Sequence, residues 1–184
     1  MNEETIKELN KYQSSDNLNY FGTKELLIDE KYLNNYKNSI VIKILKYFKS
    51  TDKVLEYGAG VGTLARNWEL KTGIKPDCIE IDSTLRSILI SRGFKCYDKP
   101  ESVMKFYDGI YTSNVLEHID NDEEALKKIH TMLKPDCNLV IYVPAFMCLY
   151  SGLDSSIGHY RRYHKKELLE KFRKNKFEII DFHY

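Results

Sequence analysis

Residues 54–62 decide the fold class, and they read VLEYGAGVG. Residues 54–57 form a short, mainly apolar run typical of a buried strand, and Gly58, Gly60 and Gly62 follow it directly. Glycine has no Cβ, so such a turn can bend sharply and bring its backbone close to a ligand. Because ligands bind at the carboxyl ends of strands in open α/β sheets, the turn predicts a binding site.

Strand and helix signals alternate along the rest of the chain. The predicted helices cover about 33–48, 62–72, 84–92, 121–133 and 165–173. Further strands are predicted at 78–81, 94–97, 109–113, 138–143 and 177–182, with a turn at Lys134-Pro135-Asp136. Repeated strand-then-helix order predicts a Rossmann-like, doubly wound α/β fold, with a mainly parallel sheet and helices on both faces.

The bulk composition limits the classes of protein that fit. The chain has 184 residues, with 28 basic and 27 acidic side chains and a formal net charge of +1. We expect one domain at 33–184, preceded by a polar arm or lid at 1–32. The balanced charge gives no electrostatic reason to expect nucleic acid, and no apolar run is long enough for a membrane span. We therefore expect a cytoplasmic protein.

The four cysteines give no support for a metal site. Cys78, Cys96, Cys137 and Cys148 form no CxxC pair, and three of them lie in apolar, strand-like runs. They are interpreted as small buried hydrophobic residues in a reducing compartment, and no metal is expected.

Three details limit the classes of ligand that the glycine-rich turn can bind. A dinucleotide fingerprint would need a third glycine at Thr63, which is not glycine. Glu56 precedes the first glycine by two residues, and its carboxylate would repel a pyrophosphate but attract a cationic ligand. Glu80 follows the second strand and could accept two hydrogen bonds from a ribose diol. Asp82 is the alternative for that role, although it is better placed to cap the next helix.

These motifs resemble the class I S-adenosylmethionine-dependent methyltransferases over residues 33–183. The resemblance implies that the glycine-rich loop holds the methionine part of S-adenosylmethionine, and that Glu80 binds its ribose. Asp98 would contact the adenine, and Asn114 and Val115 would line the cofactor in the stretch YDGIYTSNVLEHI at 107–119. The expected cofactor-binding residues are Glu56, Gly58, Ala59, Gly60, Gly62, Glu80, Ile81, Asp98, Asn114 and Val115.

The acceptor side is expected in the loops after the fourth and fifth strands. Residues 154–163, DSSIGHYRRY, resemble the DxxxGHxRRY element of methyltransferases that modify glycans, lipids and small metabolites. His159 is the first candidate for a general base, with Asp154 as its orienting partner, and His118 is the second candidate. His118 could instead cap or orient its loop.

Residues 161–163 have two interpretations. Arg161 and Arg162 could bind an acidic group of the acceptor, because guanidinium recognises carboxylate and phosphate bidentately, and Tyr163 would line the same pocket. Alternatively, a salt bridge from Asp154 to one arginine fixes the loop.

The resemblance implies methyl transfer to an oxygen or nitrogen of a small molecule, glycan or lipid precursor. A non-catalytic cofactor-binding module is one alternative, and a nicotinamide-dependent oxidoreductase is another. The chain ends after the sixth strand signal, whereas family members usually continue into a seventh, antiparallel strand. An exposed sheet edge, and with it a homodimer, is therefore a further expectation.

Overall fold

The computed structural model describes Leu26 and residues 30–184, and five strands and six α-helices lie completely within that part. The predicted arm or lid at 1–32 lies almost entirely outside the described residues. The helices are α1 (Asn34–Leu45), α2 (Thr63–Thr72), α3 (Ser83–Ser91), α4 (Asp122–Met132), α5 (Gly152–Ser156) and α6 (Lys165–Lys174). The strands are β1 (Val54–Tyr57), β2 (Asp77–Ile79), β3 (Cys96–Tyr97), β4 (Tyr107–Ser113) and β5 (Leu133–Tyr142).

All five strands are parallel, and their order in the sheet is β3-β2-β1-β4-β5. The chain moves outward from β1 through β2 and β3, then returns to place β4 on the other side of β1. The strand order therefore reverses between β1 and β4, where a crevice opens at the carboxyl ends. This topology confirms the predicted doubly wound sheet and places the glycine-rich turn at the crevice.

Helices pack on both faces of the sheet. Val54 of β1 packs with Ile44 of α1 and Trp68 of α2, whereas the next residue, Leu55, belongs to a cluster with Ile129 of α4. Alternate strand residues point to opposite faces, so a short strand can anchor both layers. The carboxyl end of β1 is thereby held by packing from two sides.

Local capping signals set where several helices begin and end. Asp82 accepts hydrogen bonds from the backbone of Thr84 and Leu85, which confirms its predicted role as the N-cap of α3. Asn121 caps α4 by accepting from the backbone N–H of Glu124. Gly73 ends α2 in the left-handed conformation that favours glycine there.

The predicted strand at 177–182 is wrong. Residues 177–184 contain no strand, and Lys176, with a φ of 66°, redirects the backbone after α6. Phe177 and Phe182 instead pack against a cluster that includes buried Leu168, while Ile180 is exposed. The apolar residues of this segment therefore anchor it through side chains, without backbone pairing to the sheet.

The predicted turn at Lys134-Pro135-Asp136 lies inside β5. Leu133 pairs with Tyr107, but the next paired position joins Asn138 to Gly109, so residues 134–137 bulge from the ladder. Asp136 takes a φ of 59°, as a sharp backbone turn requires. The backbone therefore turns at residues 134–136 as predicted, but β5 begins before this turn and not after it.

Strand β5 forms one edge of the sheet. Among the described residues, β4 is its only neighbour, so the expected open edge is present in that part of the chain. The homodimer stays a prediction. No helix among the described residues has the length and apolarity needed to cross a bilayer.

Candidate cofactor and acceptor site

The glycine-rich loop packs between the carboxyl end of β2 and Val115, which follows β4. The backbone N–H groups of Gly58 and Ala59 both donate to the Ile79 carbonyl of β2, each at 3.0 Å. Gly58 has a φ of 75°, and a Cβ there would lie 2.5 Å from a methyl of Val115. Only glycine therefore fits at position 58.

Gly60 faces a more open space than Gly58 does. Its φ is 57°, and the nearest atom to an added Cβ is a methyl of Leu26 at 3.6 Å. Leu26 packs with Val61 and lies on the lining of the cleft. A side chain at position 60 would therefore project towards Leu26 and the open space beside the loop.

Glu80 is bonded directly to the glycine-rich loop. Its Oε2 accepts from the Gly60 N–H at 2.7 Å, and its Oε1 accepts from the Asp82 N–H at 2.9 Å. Burial raises the pKa of Glu80, and these backbone bonds act in the opposite direction. The carboxylate thus lies on the lining of the cleft, where it can still use its remaining lone pairs.

Glu56 also lines the cleft, but its side chain is almost entirely buried, with 1% of the residue exposed. The Tyr111 hydroxyl donates to its Oε2 at 3.0 Å. Burial raises the pKa of Glu56 to about 8, because removal from water penalises the charged form. Without a cationic partner, the carboxyl group is therefore largely protonated near neutral pH.

Of the remaining predicted cofactor residues outside the glycine-rich loop, three lie on the lining of the cleft and Asp98 does not. Ile81 is 77% exposed and lines the cleft, as do Asn114 and Val115. Asn114 has a φ of 54°, and its N–H donates to the Tyr142 carbonyl, which turns the chain at the end of β4. Asp98 is exposed, accepts from the Ser102 hydroxyl at 2.5 Å and is not on the cleft lining.

The segment after β5 is organised by Asp154, which is 1% exposed. Its carboxylate accepts two hydrogen bonds from Arg162, one from Nε at 2.8 Å and one from a terminal nitrogen at 3.0 Å. It also accepts a hydrogen bond from the Ser151 N–H at 2.9 Å. Arg162 chiefly holds the pKa of Asp154 well below its usual range. The internal salt bridge considered from the sequence is therefore present.

His159 is oriented by the same carboxylate. Its Nδ1 lies 2.9 Å from Asp154 Oδ1, so the predicted contact between these residues is present. The His159 ring meets the His118 ring edge-on, with centroids 4.5 Å apart, and both residues line the cleft. Burial lowers the pKa of His118, and the neighbouring His159 lowers it further. The general-base roles of His159 and His118 stay predictions.

Glu117 is a site residue that sequence analysis did not single out. It lies in the short 3₁₀ helix Leu116–His118 and is fully buried, and neither carboxylate oxygen has a hydrogen-bond partner. Its Oε1 is 3.9 Å from His159 Nε2. Burial raises the pKa of Glu117 to about 7. The sequence shows Glu117 within the LEH stretch at 116–118, but no local pattern indicates that it lies near His159, because that contact depends on the tertiary fold.

Arg161 and Tyr163 are engaged by α4. Arg161 Nη1 lies 3.0 Å from Oδ2 of Asp122, the first residue of α4. The Tyr163 hydroxyl donates a hydrogen bond to the same carboxylate oxygen at 2.9 Å. Lys171 of α6 is a third partner of Asp122. Arg161 and Arg162 are not on the cleft lining, whereas Tyr163 is. The acceptor-binding role of all three stays a prediction.

Replacing Tyr163 with Phe is expected to lower the free energy of unfolding by about 1.5–3 kcal/mol, the usual range for a hydrogen bond to a charged group. The lost bond leaves one Asp122 oxygen with fewer donors in a buried setting. Urea unfolding would measure the change, with exposed Tyr160→Phe as the matched control. Unchanged stability would leave the hydroxyl free for the acceptor and contradict the structural role.

Residues 30–181 match the protein family described as methyltransferase domain. The chain belongs to this family. Membership confirms the class I S-adenosylmethionine-dependent methyltransferase predicted from the sequence. The methyltransferase is therefore an enzyme with S-adenosylmethionine as its cofactor.

Solved structures share the fold of this methyltransferase at low sequence identity. A SAM-dependent methyltransferase from Archaeoglobus fulgidus matches with a TM-score of 0.69 and 22% identity, over 84% of this chain and 74% of that chain. Phosphoethanolamine N-methyltransferase 2 from Haemonchus contortus, in complex with S-adenosyl-L-methionine, matches with a TM-score of 0.64 and 17% identity. That match covers 76% of this chain but 36% of the Haemonchus chain. No curated protein matches the chain.

Proposed function

We propose that this methyltransferase transfers the methyl group of S-adenosylmethionine to an oxygen or nitrogen of a small molecule, glycan or lipid precursor. The observation that carries the proposal is a group of one buried and two partly buried polar side chains beside the cofactor loop. It consists of Glu117, His118 and His159. The backbone links them to the cofactor loop, since His118 N–H donates to the carbonyl of Val115, which packs on Gly58.

The cofactor would lie along the loop from Glu56 to Glu80. Its cationic end would approach Glu56, whose carboxyl group then becomes charged, and its ribose would share the Glu80 carboxylate with Gly60. Both carboxyl groups flank the glycine-rich loop, which supports this arrangement: Glu56 lies in β1 directly before the loop, and Glu80 accepts from the Gly60 N–H. Adenine contact by Asp98 stays a prediction, because that side chain bonds to Ser102 on the exposed side.

The methyl group would then face the loops after β4 and β5. Methyl transfer is an in-line displacement, so the enzyme's main task is to hold the sulfonium and the acceptor in line. The two loops are tied together by the Tyr160 N–H, which donates to the Glu117 carbonyl at 2.8 Å. This bond fixes the acceptor side relative to the cofactor side.

A small acceptor agrees with the structural neighbours as well as with the balanced charge of the chain. The Haemonchus enzyme is a phosphoethanolamine N-methyltransferase, and another neighbour is coclaurine N-methyltransferase bound to N-methylheliamine, with a TM-score of 0.52 and 16% identity. Both named acceptor classes are small molecules. We extend that acceptor size, and not the individual compounds, to this chain.

Two measurements test the proposal. Titration calorimetry should give S-adenosylmethionine binding and no comparable nicotinamide binding. Methyl-labelled cofactor should then transfer label to a member of a panel of small amines, alcohols, glycans and lipid precursors. Label transfer to nucleic acid alone would contradict the acceptor class. Cofactor binding with no transfer to any acceptor would favour the non-catalytic module.

A further inference from the structure

Glu117 is a buried carboxyl group without a hydrogen-bond partner, which is rare in a protein interior. Its side chain is fully shielded from solvent, and both carboxylate oxygens lack a hydrogen-bond partner. A buried polar group without a partner costs about 1–3 kcal/mol, and more when it is charged. Among the residues described, the nearest basic group to it within salt-bridge range is His159, at 3.9 Å. A ligand that supplies positive charge would resolve this arrangement.

Two imidazoles share the pocket with this carboxylate. One ligand atom each from Glu117, His118 and His159 lies within 4.8 Å of the others. Zinc binds histidine nitrogen and carboxylate oxygen at about 2.0–2.2 Å, so neighbouring ligand atoms on one ion lie roughly 3.4 Å apart. Side-chain rotations that move these atoms by about 1 Å would therefore bring them to coordination distance.

His159 has the support that a metal-ligating histidine usually has. Its Nδ1 is held by Asp154 at 2.9 Å, which directs Nε2 towards Glu117. A carboxylate behind the ligating histidine fixes the ring and increases the basicity of the free nitrogen. Asp154 is in turn fixed by Arg162. The supporting contacts are thus supplied by the chain's own residues.

We propose that Glu117, His118 and His159 form a binding site for one divalent transition-metal ion. Two histidines and one carboxylate are a ligand set that zinc, cobalt and iron(II) accept with coordination positions left open. His118 and His159 are partly exposed, so an open coordination position on their side could receive an acceptor oxygen. This orienting role rests on the proposed function, whereas metal binding itself does not.

Titration of the metal-free full chain with Co²⁺, without S-adenosylmethionine, tests the site directly. We expect one equivalent to bind and to give the visible absorption of a cobalt ion with nitrogen and oxygen ligands. Glu117→Gln and His118→Ala should each weaken binding at least about tenfold, since even loss of a supporting contact costs 10- to 100-fold. Asp154→Asn should also weaken binding, because it removes the charge behind His159.

His164→Ala is the matched control, because His164 is exposed and does not belong to the three-residue group. It should bind one equivalent with unchanged affinity. Thermal melting of every variant shows whether it has folded, and the near-isosteric Glu117→Gln keeps the packing. A failure of the wild-type chain to bind Co²⁺ overturns the site, as does unchanged binding in folded Glu117→Gln and His118→Ala. A sulfur-to-cobalt charge-transfer band, which would mean that a cysteine binds the ion, also overturns it. Loss of methyl transfer with Co²⁺ binding intact would count against the proposed function alone.

Discussion

Gly60→Val is expected to weaken S-adenosylmethionine binding at least about 100-fold, because an added side chain would occupy the cleft at the bend of the cofactor loop. Valine is poorly tolerated at a φ of 57°, and its methyls would project past Leu26 towards the ligand space. A change in the backbone conformation at position 60 would also disturb the hydrogen bond from the residue 60 N–H to Glu80. Titration calorimetry with S-adenosylmethionine measures the loss.

Gly73→Val separates ligand contact from backbone strain. Gly73 has a φ of 73°, close to that of Gly60, but nothing lies within 4 Å of an added Cβ, and the residue ends α2. We expect this variant to be destabilised yet to bind the cofactor with the wild-type affinity. Wild-type affinity in Gly60→Val would place the cofactor elsewhere. Equal loss in both variants would attribute the effect to strain alone.

Glu56→Gln is expected to stabilise the cofactor-free protein at alkaline pH while weakening cofactor binding. The pKa of Glu56 is raised from 4.5 to about 8, so between these values the folded state binds more protons than the unfolded state. Stability contributed by this group is therefore complete below about pH 4.5 and is lost as pH rises towards 8. Each pKa unit corresponds to about 1.4 kcal/mol, and we expect a gain of about 2–4 kcal/mol in the variant at pH 8.5.

Urea unfolding at pH 5.5 and 8.5 tests this expectation. At pH 5.5 the folded carboxyl group is neutral but the unfolded one is already ionised, so Glu56→Gln should gain only about 1 kcal/mol there, much less than at pH 8.5. Exposed Glu101→Gln is the control and should give no comparable gain at pH 8.5. S-adenosylmethionine should bind the Glu56 variant roughly tenfold more weakly, because an attraction between opposite charges is lost. A variant that is less stable at both pH values would show that Glu56 is charged and paired in the folded protein.

The parts of the fold that the sequence predicted well depend on local chemistry. The glycine spacing at 58–62 requires left-handed backbone, and all three glycines have a positive φ. The cap at Asp82 depends on residues two and three positions away. Such signals lie within one strand, turn or helix end, so they can be read without knowing the tertiary fold.

The missed features join distant parts of the chain. Lys171 and Asp122 are 49 residues apart in sequence, and no local pattern indicates their contact. The same applies to Glu117 and His159, which meet only because the loops after β4 and β5 converge. The strand wrongly predicted at 177–182 had suitable side chains, but backbone pairing depends on a neighbouring strand edge that the segment does not reach.

The bonds around Asp154 close residues 151–162 into a small ring, because one carboxylate binds Ser151 at the beginning and Arg162 at the end. Leu153, Ile157 and Tyr160 project outward from this ring and are more than half exposed. Their side chains can therefore vary in size and polarity while the histidine inside keeps its position. Substitutions on this rim are therefore expected to leave the contact between Asp154 and His159 unchanged.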